Sequence, residues 1–99
     1  MAYSVVLSGR AKKQLAAILD DDCERYTARQ QLEYVTTIEE VCQSLSDFPK
    51  KFEEIKIGSK AYRHFTYKAH IVFYRVFEER ELVFVDAVLH GRQLPEDHL

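Results

Sequence analysis

Between Lys60 and His90 the apolar side chains recur at every second position, whereas between Ala11 and Leu45 they recur at every third or fourth. A period of two sorts residues onto alternate faces of a strand, and a period near 3.6 gathers them on one stripe of a helix. The chain therefore divides into a helical first half and a stranded second half. Apolar residues at Ala11, Leu15, Ile18 and Leu19, preceded by Ser8 as an N-cap, predict a first helix that fades near Arg25. Thr27 followed three places on by Gln30 has the form of a capping box and predicts the start of a second. Its stripe runs through Ala28, Leu32, Val35, Ile38, Cys42 and Leu45, and Pro49 ends it by about Phe48.

Strands are expected across Tyr3 to Leu7, Tyr62 to Tyr67, His70 to Phe77 and Glu81 to His90, with Glu78, Glu79 and Arg80 turning the chain between the last two. The resulting order, β-α-α-β-β-β, lacks the alternation of a doubly wound parallel sheet. It predicts an α+β fold with two N-terminal helices packed on a small, mainly antiparallel sheet. Unbroken alternation along the last strand would turn Val83, Val85, Ala87 and Leu89 toward the helices. Leu82, Phe84, Asp86, Val88 and His90 would face the other way, where Arg63, Arg75, Asp86 and His90 could gather.

Ninety-nine residues, 46% of them apolar, suffice for one helix-on-sheet core. With only three glycines and two prolines and no repeat, residues 1–99 read as a single domain. The N-terminus lacks the basic start and apolar stretch of a signal peptide, and no run reaches the length of a membrane span, so a soluble, cytoplasmic protein is expected. Cys23 and Cys42 are then expected as buried free thiols. A net charge of -2 argues against a surface devoted wholly to nucleic acid. The charge is uneven: Asp20, Asp21, Asp22 and Glu24 form an acidic knot, while Lys50, Lys51, Lys56, Lys60, Arg63 and Lys68 make the next region basic.

No metal-ligand spacing, nucleophile elbow or phosphate-cradling glycine loop occurs, so neither a metal nor a cofactor is implied. His90 has the pKa range of a general acid or base, and Arg63, Arg75 or Arg92 could hold an anion beside it. A strand-end histidine in a surface contact, with arginines paired to Asp86 or Glu79, fits the same residues. The strand aromatics Phe65, Tyr67, Phe73, Tyr74, Phe77 and Phe84 suit core packing better than a stacking platform for bases.

Tyr3-Ser4-Val5, Ser8 with Ala11, Leu45 with Phe48-Pro49, Ile71-Val72-Phe73-Tyr74-Arg75-Val76 and Val88-Leu89-His90-Gly91-Arg92, in this order, resemble the RelE/ParE superfamily of bacterial toxins over nearly the whole chain. The resemblance implies the toxin of a type II toxin-antitoxin system, neutralised by a cognate antitoxin protein. In the ParE-like branch such a toxin poisons DNA gyrase. In the RelE-like branch it is a metal-independent endoribonuclease that cuts mRNA at the ribosome, and a degenerate member would only bind its antitoxin. Ile71 stands where the nuclease branch usually carries arginine, and no tyrosine follows Tyr74, which moves the chain toward the ParE branch. Arg63, Arg75, His90 and Arg92 are then the expected target contacts. As a ribonuclease it would draw on His90, Arg63 and Arg75.

Overall fold

The computed structural model describes residues 2–20 and 26–99. The chain opens with β1 (Ser4–Leu7), passes through α1 (Gly9–Asp20) and α2 (Ala28–Ser44), and then forms β2 (Glu54–Ile57), β3 (Lys60–Tyr67), β4 (His70–Phe77) and β5 (Leu82–His90). A short α3 (Pro95–His98) follows. The five-stranded sheet has the order β1-β5-β4-β3-β2, with β1 parallel to β5 and every other pair antiparallel. The two helices carry the chain from one sheet edge to the other, and the meander from β2 to β5 returns it to β1. The expected α+β architecture is therefore present, with β2 as an additional strand.

The helix starts are local events. Ser8 Oγ accepts the Ala11 N–H at 2.9 Å, and Thr27 and Gln30 exchange both bonds of the capping box, at 3.1 and 2.9 Å. Ala11 and Leu15 of α1 and Val35, Ile38 and Cys42 of α2 then meet Phe65, Val72, Tyr74, Val83, Val85 and Val88 of the sheet in the main core. Burial pushes the Cys42 thiol up to about 12, so it stays protonated as a small apolar core residue. Cys23 and three acids of the expected knot, Asp21, Asp22 and Glu24, lie outside the described residues. Leu32, expected in the stripe, is 56% exposed.

The expectation for the last strand fails halfway. Phe73 pairs with Ala87 but Tyr74 pairs with Val85, so Asp86 is an extra residue on β5, a β-bulge. Each strand residue inserted without a partner exchanges the two faces for everything beyond it. Val83 and Val85 face the helices as expected, but beyond Asp86 it is Val88 that does so. Ala87 and Leu89 join Tyr62 and Phe73 in a second cluster on the opposite face, sealed there by Leu99. His90 is carried to the helix side, where it pairs across the strands with His70.

Ile38 is fully buried between α2 and the sheet. Ile38→Ala should lower the unfolding free energy by about 2–5 kcal/mol, read as a reduced urea midpoint with an unchanged slope.

Candidate functional site

The four residues singled out from the sequence do not converge. Arg63, on the helix face of β3, turns inward: its Nη1 donates to the Phe52 carbonyl at 2.7 Å and reaches that of Lys50 at 3.5 Å. It thereby fixes the segment entering β2, together with the buried Tyr74, whose hydroxyl donates to the Pro49 carbonyl at 3.1 Å. Arg75 lies on the opposite face, its guanidinium 5.7 Å from the Tyr62 ring centre and 4.9 Å from that of Phe77. Asp86 is paired with Arg10 at 3.0 Å, at the bulge. His90 stands at the far end of β5 with Arg92 exposed on the turn beyond it. The expected gathering of Arg63, Arg75, Asp86 and His90 on one side is thus replaced by a distribution over both faces, because the bulge moves His90 and the parity of β3 differs from that of β4.

What the bulge does assemble is a groove of about 690 Å³ between the helix pair and the ends of the last three strands. Gln14, Ala17, Tyr26, Tyr34, Lys68, His70, Val88, His90 and Gln93 are among its walls. The His70 and His90 rings meet edge to face with centres 5.4 Å apart. Tyr34 supports them from α2, its hydroxyl oxygen lying 2.7 Å from His70 Nδ1 and accepting the Ala69 N–H at 3.2 Å. Arg92 N–H donates to His90 Nδ1 at 3.2 Å. Because that nitrogen accepts, neutral His90 carries its proton on Nε2. Partial burial and, secondarily, the neighbouring His90 hold His70 below the ordinary imidazole range, and burial raises the Tyr34 hydroxyl.

The strand edge beside this groove is closed by side chains. β1 ends opposite Val85, leaving the outer edge of β5 without a neighbouring strand from there on. Gln14 Oε1 accepts the Val88 N–H at 2.6 Å and Gln93 Oε1 accepts that of His90 at 2.7 Å. Sequence reasoning missed Gln14, Tyr34, Lys68, His70 and Gln93 as a group. The one local signal was Asp86, the single polar residue between Leu82 and Leu89.

The model of the ParE toxin of type II toxin-antitoxin systems, parDE, matches residues 5–95. The chain belongs to this family. The toxin is also similar in structure to a chain of the RelBE2 toxin-antitoxin complex from Mycobacterium tuberculosis, with a TM-score of 0.67 over 94% of this chain and 95% of that one, at 16% identity. That likeness is one of fold. No curated protein matches by sequence. No helix among the described residues is long and apolar enough to cross a membrane.

His70 has a consequence for stability. With its pKa lowered by folding, the unfolded chain binds more protons near neutrality, so stability should be complete above about pH 6.5 and decline as pH falls below it. Urea midpoints measured at about pH 7.5 and about pH 5.5 should differ more for the natural chain than for His70→Gln, in which this linkage is absent.

Proposed function

We propose that this toxin poisons DNA gyrase and is neutralised by a cognate antitoxin, rather than cutting mRNA on the ribosome. The observation that carries the reading is the dispersal of Arg63, Arg75 and His90. Cleavage of RNA through its 2′-hydroxyl by these three residues would require them, as base, charge stabiliser and acid, within reach of one phosphate. Here the first arginine clamps the chain's own carbonyls, the second lies on the other face over Tyr62 and Phe77, and the histidine is on the helix side. The family model, which describes the toxin of parDE systems, supports the same branch.

The contacts offered to gyrase are the segment around His90 and Arg92, with Arg75 on the opposite face and Arg63 acting by holding the segment before β2 in place. Leu19, Tyr26 and Leu32, between 39% and 56% exposed along the helix pair, leave an apolar strip for the antitoxin to cover. The chain of similar fold comes from a toxin-antitoxin complex.

Purified gyrase titrated with this toxin should lose supercoiling activity and accumulate cleaved DNA. Arg92→Ala should require about tenfold more toxin for the same inhibition, the cost of one contact residue at an interface. Intact supercoiling together with new 5′ ends on translated messages in primer extension would instead establish the ribonuclease, and expression that leaves growth unaffected, with neither change, would mark a toxin that only binds its antitoxin.

A further inference from the structure

We propose that the groove in which Lys68, His70 and His90 meet is a phosphate-binding site. The site shares His90 with the gyrase contact proposed above but does not rest on that reading, and its test needs no gyrase. Three cationic side chains elsewhere are matched by carboxylates, Arg10 by Asp86, Arg29 by Glu33 and Lys50 by Glu78. Among the described residues none of Lys68, His70 and His90 is ion-paired. All three nevertheless line one concave surface.

The hydrogen bonding leaves donors directed to a ligand rather than to the protein. His90 Nδ1 is occupied by the Arg92 N–H, so Nε2 holds the ring proton and has no partner among the described residues. The Tyr34 hydroxyl donates to the Tyr67 carbonyl at 3.1 Å, so at 2.7 Å it accepts from His70 Nδ1, and His70 Nε2 is left outward, a donor once the ring is protonated. Lys68 occupies the turn between β3 and β4 in the left-handed region, at φ 51°. There its ammonium lies 5.4 Å from the Tyr67 ring centre and 5.9 Å from that of Tyr34. A non-glycine residue in that conformation carries a backbone cost that its surroundings must offset. The turn is held by the Gly91 N–H, which donates to the Ala69 carbonyl at 2.9 Å, so the lysine and both histidines sit on one braced unit.

The other ionisable groups facing the groove are Tyr26, Glu33 and Tyr34 from the α2 side and Tyr67 from β3; α1 contributes only Gln14, Ala17 and Ile18. Glu33, the one carboxylate among these lining residues, is paired with Arg29 at 3.3 Å. A phosphate there would accept from Lys68 and both imidazoles through charge-assisted bonds. By linkage it would draw protons onto the rings, so binding tightens as pH falls.

The test is a titration of the full chain with inorganic phosphate, and separately with a short 5′-phosphorylated single-stranded DNA, following the histidine ring resonances by NMR. The expected result is saturable shifts of His70 and His90, not of His64 or His98, with tighter binding at about pH 6 than at about pH 8. Lys68→Ala and His90→Gln should each weaken binding about tenfold while the unfolding midpoint shows the fold intact. Stronger binding of the oligonucleotide than of inorganic phosphate would identify a nucleic-acid backbone as the source, and equal binding a free phosphate. Shifts produced equally by chloride, unchanged affinity in both variants, or tighter binding of a glutamate-rich peptide would each overturn the site.

Discussion

One unpaired residue, Asp86, determines which side chains share a surface. The bulge is held from three directions: Ser8 Oγ donates to the Asp86 carbonyl at 2.6 Å, Arg10 pairs with its carboxylate at 3.0 Å, and the same carboxylate meets the buried Tyr62 hydroxyl, whose pKa is raised by burial and by that neighbour. Its position coincides with the end of β1. The last β1 residue, Leu7, pairs with Val85, and Ser8 then leaves the sheet to cap α1. The hydroxyl that starts the helix thus also marks where β5 changes face, so the helix direction and the placement of His90 are set by one corner of the chain.

This corner also explains why two apolar clusters form instead of one. Continued alternation would have placed Ala87 and Leu89 under the helices and set Asp86, Val88 and His90 beside Tyr62 and Phe73. With the extra residue, Ala87 and Leu89 cover those aromatics, and the C-terminal residue Leu99 closes the cluster. Arg10 reaches the same region, donating to the His98 carbonyl. The opposite face of the sheet is therefore partly occupied by the chain's own end, and its arginine is stacked on aromatic rings. Neither feature leaves the broad basic platform that phosphoryl chemistry on that face would need.

The parts of the fold that were legible in the sequence rest on short-range physics. Thr27 and Gln30 satisfy each other's backbone N–H groups within one turn, and the strands after Lys60 carry a period of two that marks them as strands even though the bulge at Asp86 breaks it once. β2 was missed because Glu54-Ile55-Lys56-Ile57 pairs at the sheet edge with three of its four residues exposed, so its apolar residues mark no strong buried face. The candidate site was missed for a different reason. A single inserted residue changes local propensity hardly at all, yet it exchanges the faces of Ala87 to His90, and the partners that stabilise it, Ser8, Arg10 and Tyr62, are distant in sequence. Arg63 illustrates the same limit: an arginine that clamps two carbonyls and one that awaits an anion have identical sequence neighbours.

The groove owes its polar character to the exposed edge of β5. Past Val85 that strand has no neighbour on its outer side, and an uncovered row of N–H groups invites pairing with another chain. Gln14 from α1 and Gln93 from the following turn accept the Val88 and His90 N–H groups. An apolar side chain at either place would leave a donor unsatisfied in a partly buried setting, which costs about 1–3 kcal/mol. Covering an edge with amides rather than a strand keeps the surface open, since a sixth strand would fill the space in which His70 and His90 meet. The same shortness of β1 that requires the two glutamines therefore also keeps the histidine pair accessible, and strand length at one edge links the protection of the sheet to the chemistry beside it.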